Sequence, residues 1–505
     1  MSRAFEMRLL TCLAAMVTLG TVAPVLAQCQ RAKLTDVAGA AGDKFGWALT
    51  AQGQTVLVGV PFDDDQGSNS GSVFAYDTAV TETSPVQQIL RPGGAVGDGF
   101  GWCVDFESST VMVGVLGEIQ LDVVELVPEG GFLRTAILSP WDGDWENFFG
   151  QSVSVNGDVL VVGAPNATSL APGGAAYVFE RDPDSRWQPK QKLTAGDAQL
   201  DDAFGEKVTV DGAVIVIGAP DDDDLGFATG SAYVFERDPN TGAWTEVSKL
   251  LPTEYGGGFV SFGDAVAVNG DAILIGAHQT NVPADSAGGA YVFVRGLSSG
   301  GSVSWNLSQM LSASDAAAFD RFGVTVDIDT NVALIGAERA DADAVNSGAA
   351  YVFERDPNTG AWAEVAKLSA LDGQANDEFG HSVALSGTTA VVGAWKDDDM
   401  GTDSGSAYIF DLTGGDCNAN GWCDDVDIAG GTSQDANANG VPDECDCWGD
   451  LDASGSVDLA DLSALLTNFG LPSGMQYADG DLDADADVDL ADLSALLERY
   501  GVACP

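Results

Sequence analysis

A Phe-Gly pair recurs seven times along this chain, at Phe45, Phe100, Phe149, Phe204, Phe262, Phe322 and Phe379, and no other feature restricts the fold as much. Successive copies stand 55, 49, 55, 58, 60 and 57 residues apart. The fourth copy displays the unit well. Phe204-Gly205 leads into alternation through Val208 and Val210, a turn at Asp211-Gly212 and an apolar run from Ala213 to Ile217. Then come Gly218-Ala219-Pro220, an acidic loop from Asp221 to Asp224, and a short strand from Ser231 to Phe235. A period of that length, built only of strand-sized pieces, indicates small sheets repeated around an axis.

Each copy can be parsed into four strands. Strand a follows Phe-Gly, as in Gln151 to Val155, and Asn156-Gly157 turns it into strand b, Val159 to Val162, because Asn-Gly tolerates the positive φ of a tight hairpin. Strand c is Ala176 to Phe179. The segment Asp238 to Gly242, repeated at Asp356 to Gly360, presets a turn into strand d, Trp244 to Leu250. The last copy has a, b and c, ending at Phe410, but no d. An orphan d strand, Gln30 to Leu34, stands alone ahead of the first copy. A closed ring needs that strand, and closing it removes the open edge. The fold expected is mainly β: a seven-bladed β-propeller over residues 28–413, closed by the N-terminal strand and followed by a small α-helical calcium-loop domain.

Phe-Gly followed by Gly-Ala-Pro, repeated in this way, resembles the FG-GAP repeats of integrin α-subunit propellers and their bacterial relatives. The resemblance spans roughly residues 29 to 413, with copy two degenerate (Gly114-Val115-Leu116 replaces Gly-Ala-Pro). It implies a ligand-recognition platform. Blades of the integrin type often hold calcium between strands a and b. That place here carries only Asn156-Gly157, Asp211-Gly212, Asn269-Gly270 or Ser386-Gly387, so blade calcium is not carried over. The acidic runs Asp63 to Asp65, Asp221 to Asp224 and Asp397 to Asp399 fall after strand b and read as solvated loops, since calcium ligands usually come from alternate positions.

Beyond Gly414 the composition shifts to Asp and Asn. Asp416, Asn418, Asn420, Gly421, Asp424 and Asp427 take positions 1, 3, 5, 6, 9 and 12 of a calcium loop, and Asp435, Asn437, Asn439, Gly440, Asp443 and Asp446 repeat the register. This linker, residues 414–447, resembles thrombospondin type 3 repeats through Val441-Pro442-Asp443. Residues 448–505 hold two further loops, each followed by a short apolar helix. The first offers Asp450, Asp452, Ser454, Ser456, Asp458 and Asp461; the second offers Asp481, Asp483, Asp485, Asp487, Asp489 and Asp492. Paired loop–helix halves with Asp at position 12 resemble a type I dockerin. The resemblance implies Ca2+ as the cofactor and a cohesin-like protein contacted through Leu459-Ala460 and Leu490-Ala491. Ala486 stands where the turn glycine is usual, so the second loop is expected to bind more weakly.

Net charge is −55, from 76 acidic and 21 basic residues, which repels nucleic acid and anionic lipid. Residues 1–27 read as a secretory signal, with Arg3 and Arg8, an apolar stretch from Leu9 to Val22 and Val25-Leu26-Ala27 at the cleavage point. No membrane span remains after cleavage, and the mature chain is read as an extracellular or cell-surface monomer in an oxidising setting. Register across the seam sets Cys29 beside Cys417, which leaves Cys423 with Cys445, Cys447 with Cys504 and Cys103 free. Cys417 with Cys423 is the competing pairing. His278 and His381 occupy repeat positions and read as tolerated substitutions. No side chain departs visibly from the repeat as a catalytic residue should. The function read is therefore a secreted, calcium-binding, non-catalytic binding or adhesion protein, with a cohesin-like protein or an extracellular glycan as partner. The alternative is an enzyme acting on extracellular polysaccharide.

Overall fold

The computed structural model describes residues 28–501 apart from 37, 79–83, 127–130, 143–147, 167–172, 254–258, 298–302, 414, 419, 436–440, 443–444, 446–448, 452–455, 472–479 and 483–486. The expected signal segment lies outside the described residues. Seven antiparallel sheets of four strands follow one another along the chain, so the seven-bladed reading holds. In blade 4 the strands are a, Val208–Asp211; b, Val214–Ala219; c, Ser231–Arg237; and d, Trp244–Leu250, paired in chain order. Blade 7 contributes Phe379–Ser386, Thr389–Ala394 and Ser406–Asp411, and its outer strand is β1, Cys29–Leu34. Cys29 lies opposite Asp411 and Leu34 opposite Ala407, which closes the ring three strands plus one.

Both glycine motifs serve one contact. The Phe204 ring packs edge-on against Tyr233 and Phe235 of its own blade, with centroids 5.3 and 6.2 Å apart. Gly205 follows at φ 98°, and a Cβ there would stand 2.2 Å from the Ala175 carbonyl oxygen of blade 3. From the other side, a Cβ on Gly163 of blade 3 would meet the Gly205 carbonyl oxygen at 2.0 Å. Phe-Gly of one blade and Gly-Ala of the preceding blade thus press backbone to backbone, a distance only glycine permits. Gly393 and Gly46 repeat the contact across the seam, at 2.3 Å.

The core lies between blades. One cluster joins Val161, Val178 and Leu193 of blade 3 to Phe204, Ile215, Tyr233 and Trp244 of blade 4. Another closes the ring, joining Leu34, Val391 and Ala407 to Phe45, Val56 and Phe74. Each fully buried Leu, Val, Ile or Phe contributes roughly 1.5–3 kcal/mol by leaving water. Strand a is innermost, so its free edge faces the axial channel and its amides need acceptors. The preceding blade supplies them: the Val208 N–H donates to Ser152 Oγ at 3.1 Å and Val210 to Ser154 Oγ at 3.2 Å. Val155 donates to Asp105 Oδ2 at 2.8 Å and Leu385 to Asp327 Oδ2 at 2.7 Å. Burial pushes both aspartates up to about 6.

The acidic runs are not simply solvated. Asp63, Asp222 and Asp397 are 1%, 2% and 3% exposed. Asp222 accepts from the Tyr233 hydroxyl at 2.8 Å and pairs with Lys249 Nζ at 2.8 Å, while Asp223 and Asp224 remain exposed. Blade 7 repeats this with Tyr408 and Asp397, and its ammonium is Lys33 from β1. In blade 1 Gln88 replaces the lysine, and Asp63 is held by the Ser72 hydroxyl and the Gln88 amide.

The disulfides correct the expected pairing. Cys29 bonds Cys423 and Cys417 bonds Cys445, so none of the expected Cys29–Cys417 and Cys423–Cys445 bonds nor the competing Cys417–Cys423 bond forms. The expectation let the chain beyond blade 7 follow the usual turn from c to d. Instead the Asp416 carboxylate accepts the Asn420 and Gly421 amides at 3.1 and 2.8 Å and folds that segment back on itself. The chain then runs beside β1: the Gln30 N–H donates to the Gly421 carbonyl at 2.8 Å, and Gln30 bridges Trp422 in parallel. Cys423 is consequently the cysteine next to Cys29. Cys103 is free, as expected, while Cys447 and Cys504 lie outside the described residues.

Candidate functional site

The residue after each Phe-Gly lines the axis. Trp47, Trp102, Gln151, Glu206, Asp264, Val324 and His381 all face one cavity of about 370 Å³ at the channel mouth. Two residues further along strand a, Leu49, Val104, Val153, Val266, Val326 and Val383 form an aliphatic collar.

One sector is aromatic. Trp47 has its ring centroid 4.9 Å from Trp102, 5.2 Å from His381, 5.3 Å from Trp395 and 5.5 Å from Phe62. Lys44 Nζ sits 4.2 Å over the Trp395 ring and 4.7 Å over Phe62, with its pKa lowered by burial. His381 Nδ1 is 2.8 Å from Glu338, which also pairs with Arg321 at 2.8 Å. Burial alone would raise the Glu338 pKa, but His381 and Arg321 outweigh it and hold the carboxyl at about 2. Glu378 accepts from Trp395 Nε1 at 3.0 Å and so fixes the plane of that ring.

The other sector is polar. Gln151 Nε2 donates to Glu206 at 2.8 Å, and burial raises the Glu206 pKa. In the next blade burial also pushes Asp264 upward, yet His278 Nδ1, 3.1 Å away, prevails and lowers it. Neighbouring blades thus offer one carboxyl biased toward its acid form and one biased toward its anion, a division of the acid–base kind. Lys207 projects exposed among them. Lys44 and Lys207 have no carboxylate within 4.0 Å among the described residues, whereas Lys33, Lys190, Lys192, Lys249, Lys367 and Lys396 each have one.

The sequence reading found no residue standing out from the repeat and took both histidines as tolerated substitutions. The missed signal is the position after Phe-Gly: the pair before it and the aliphatic residue two places on repeat, while this one changes from Trp to Gln, Glu, Asp, Val or His.

The FG-GAP repeat family model matches residues 29–76, 132–179, 187–235, 244–293, 305–353 and 362–410. The chain belongs to the FG-GAP repeat family. Each matched segment begins at strand d of one blade and ends at strand c of the next, so the FG-GAP unit is written across the blade boundary that its glycines hold together. The degenerate second copy falls between matches. No curated protein matches the chain. Solved structures similar to it include a protein from Lactobacillus plantarum (14% identity, 65% of this chain and 86% of that one, TM-score 0.44) and a candidate 6-phosphogluconolactonase from Bacteroides uniformis (11%, 64% and 85%, TM-score 0.43). Saccharomyces cerevisiae Sqt1 is similar at 9% identity over 76% of this chain and 99% of that one, TM-score 0.43.

After the FG-GAP propeller come helices α1, Asp424–Gly430; α2, Leu459–Asn468; and α3, Leu490–Arg499. In the first expected calcium loop the side chains converge. Asn418 and Asn420 both donate to Asp427 Oδ2, at 3.2 and 2.8 Å, and Asp427 is buried. Asp424 turns instead to the Cys417 amide at 3.0 Å. Of the second loop Asp435 is described, while Asn437, Asn439, Asp443 and Asp446 lie outside the described residues.

The two C-terminal loops are built alike. Asp458 and Asp489 cap α2 and α3 in capping boxes with Asp461 and Asp492. Asp461 accepts the Leu451 and Asp458 amides, each at 2.7 Å, and Asp492 accepts those of Leu482 and Asp489 at 2.6 and 2.7 Å. Asp487, Asp489 and Asp492 bring one carboxylate oxygen each within 4.8 Å of one another, a donor set that fits a hard cation. Asp450, Ser456 and Asp481 are described, whereas Asp452, Ser454, Asp483 and Asp485 are not. Val457, Leu465, Leu482, Val488 and Leu496 form the small core. Reciprocal bonds, Gly470 N–H to Val488 O at 2.7 Å and Gly501 N–H to Val457 O at 2.8 Å, give the halves a two-fold relation.

Proposed function

We propose that this FG-GAP protein is a secreted, calcium-binding, non-catalytic binding or adhesion protein, with the propeller as recognition platform and the C-terminal pair of loops as a docking module. The observation that carries the reading is the channel mouth, where seven blades each contribute one variable side chain to a single cavity. Export is supported by the basic and apolar N-terminal sequence, by two disulfides and by the lack, among the described residues, of a helix long and apolar enough to cross a membrane. Calcium is supported by the convergence of Asp487, Asp489 and Asp492. When bound it would neutralise these carboxylates and tie each loop to its helix. Leu459, Ala460, Leu490 and Ala491 are exposed at the helix starts, which suits docking on a cohesin-like protein. An extracellular glycan is the partner suited to the propeller.

One observation favours a second reading, an enzyme acting on polysaccharide: Glu206 and Asp264 are biased in opposite senses at the same cavity. Incubating the full chain with soluble polysaccharides separates the two. The binding reading expects retention without new reducing ends. Turnover that is lost in Glu206→Gln would establish the enzyme.

A further inference from the structure

The mouth's chemistry narrows its ligand, an inference that rests on the platform reading above. We propose that the channel mouth binds the end of a neutral saccharide chain, with a sugar ring stacked on Trp102, which Trp47 supports from behind at 4.9 Å, and its hydroxyls bonded to Gln151, Glu206 and Asp264. Aromatic faces carry partial negative charge and attract either a cation or the weakly positive C–H face of a sugar ring. The cation position is already filled from within, since Lys44 lies 4.2 Å over Trp395 and 4.7 Å over Phe62. An organic cation would have to displace it. A multiply anionic ligand would meet Glu206 and the depressed Asp264 carboxylate with only Lys207 opposed to them. A lipid-like ligand would cover the polar sector of Gln151, Glu206 and Asp264 without satisfying the hydrogen-bonding capacity that water now meets there. A polyol satisfies both sectors, because its hydroxyls donate to carboxylates and accept from an amide and an ammonium while its ring face covers indole.

The cavity's shape adds direction. Its wall below the ring of variable residues is the aliphatic collar of Leu49, Val104, Val153 and their counterparts. Only a chain end can reach past the ring of variable residues to this collar without carrying flanking sugars on both sides into the ring. At about 370 Å³ the space lies in the range of small-ligand sites.

The test uses the full chain with calcium present and hexaoses of glucose (β-1,4 and β-1,3), xylose and mannose as probes, titrated by calorimetry and by tryptophan fluorescence. At least one probe should bind with a blue-shifted, altered emission, and its affinity should not rise on lengthening the chain to the polymer, per chain end. Trp102→Ala should weaken it at least tenfold and Glu206→Gln several-fold, with Phe227→Ala, at an exposed ring that does not line the cavity, unchanged. Far-ultraviolet dichroism of each variant checks that the propeller is intact. Saccharide binding that persists in Trp102→Ala and Trp47→Ala would remove the mouth and leave the platform reading standing. Failure of every probe would overturn the proposal. Cleavage of a bound probe would keep the site and overturn the non-catalytic reading instead.

Discussion

Lys33 Nζ lies 2.9 Å from Asp397 Oδ2, an ion pair spanning 364 residues of sequence. Asp372 and Asp399 share the same ammonium at 2.7 and 2.5 Å. Lys249 stands in the same relation to Asp222 inside blade 4, so β1 brings to the seam both the backbone of a d strand and its side-chain chemistry. Removing the ammonium leaves Asp397, which is 3% exposed, buried without its cation. Lys33→Met should therefore cost about 3 kcal/mol in urea unfolding at neutral pH. Lys190→Met, at a partly solvated pair, should cost under about 1 kcal/mol. Equal effects would mean that the seam pair is no more than a surface pair.

Gly393 and Gly387 separate two uses of glycine. A Cβ on Gly393 would lie 2.3 Å from the Gly46 carbonyl oxygen, whereas Gly387, at φ 59°, has nothing within 4 Å. Gly387→Ala should cost about 1 kcal/mol of backbone strain. Gly393→Ala has to push blades 7 and 1 apart and should cost about 3 kcal/mol or more. Thermal melts of the two variants give the order directly.

The Cys29–Cys423 bond closes a loop of separation 394 and ties the seam to the chain beyond it. The chain-entropy relation sets an upper limit of about 6 kcal/mol for such a link, with about 2–4 kcal/mol usual in practice. Peptide mapping without reduction should recover a Cys29–Cys423 peptide and a Cys417–Cys445 peptide. Cys29→Ser should lower the melting temperature far more than Cys103→Ser. A Cys29–Cys417 peptide would contradict the path drawn for residues 416 to 423.

Stability should peak on the acid side of neutrality. Asp43, Asp105, Asp202 and Asp327 are raised by burial from an ordinary 3.8 to about 6. A raised carboxyl contributes stability that is complete below its unfolded pKa and lost as pH rises through about 6. Glu338 acts in the opposite sense. Despite burial, His381 and Arg321 depress it from 4.5 to about 2, so its contribution is present above pH 4.5 and lost as pH falls toward 2. The four raised aspartates outweigh Glu338 above about pH 4, so the melting temperature should fall between pH 4 and pH 7. A monotonic rise to pH 8 would show that these carboxyls are not buried in the native ring.

Much of this architecture was legible because the repeat writes its own contacts. Phe-Gly and Gly-Ala recur since each blade boundary needs two glycines, and the orphan strand from Gln30 to Leu34 was recognisable because a ring cannot spare its seventh d strand. The pairing of Cys29 was not, because it depends on how Asp416 folds the chain back, which register within a blade does not reveal. Burial of Asp63, Asp222 and Asp397 was hidden for another reason: in each acidic run one carboxylate turns inward, and which one depends on a partner on strand d, Gln88, Lys249 or Lys33. The mouth was obscured because its residues share a position rather than a type.

The central claim is a metal-indifferent binding ring carried with a calcium-ordered docking tail, and differential scanning calorimetry of the full chain with calcium and with excess chelator tests it most directly. Carboxylates crowded as closely as Asp487, Asp489 and Asp492 oppose folding until a cation neutralises them. The propeller is held by glycine contacts, interblade packing and the Cys29–Cys423 bond, none of which needs a metal. The account predicts two transitions: a small one from the tail that appears with calcium and vanishes with chelator, and a large one from the propeller that moves by no more than about 3 °C. A propeller transition that collapses on chelation, or a tail transition indifferent to calcium, would contradict it.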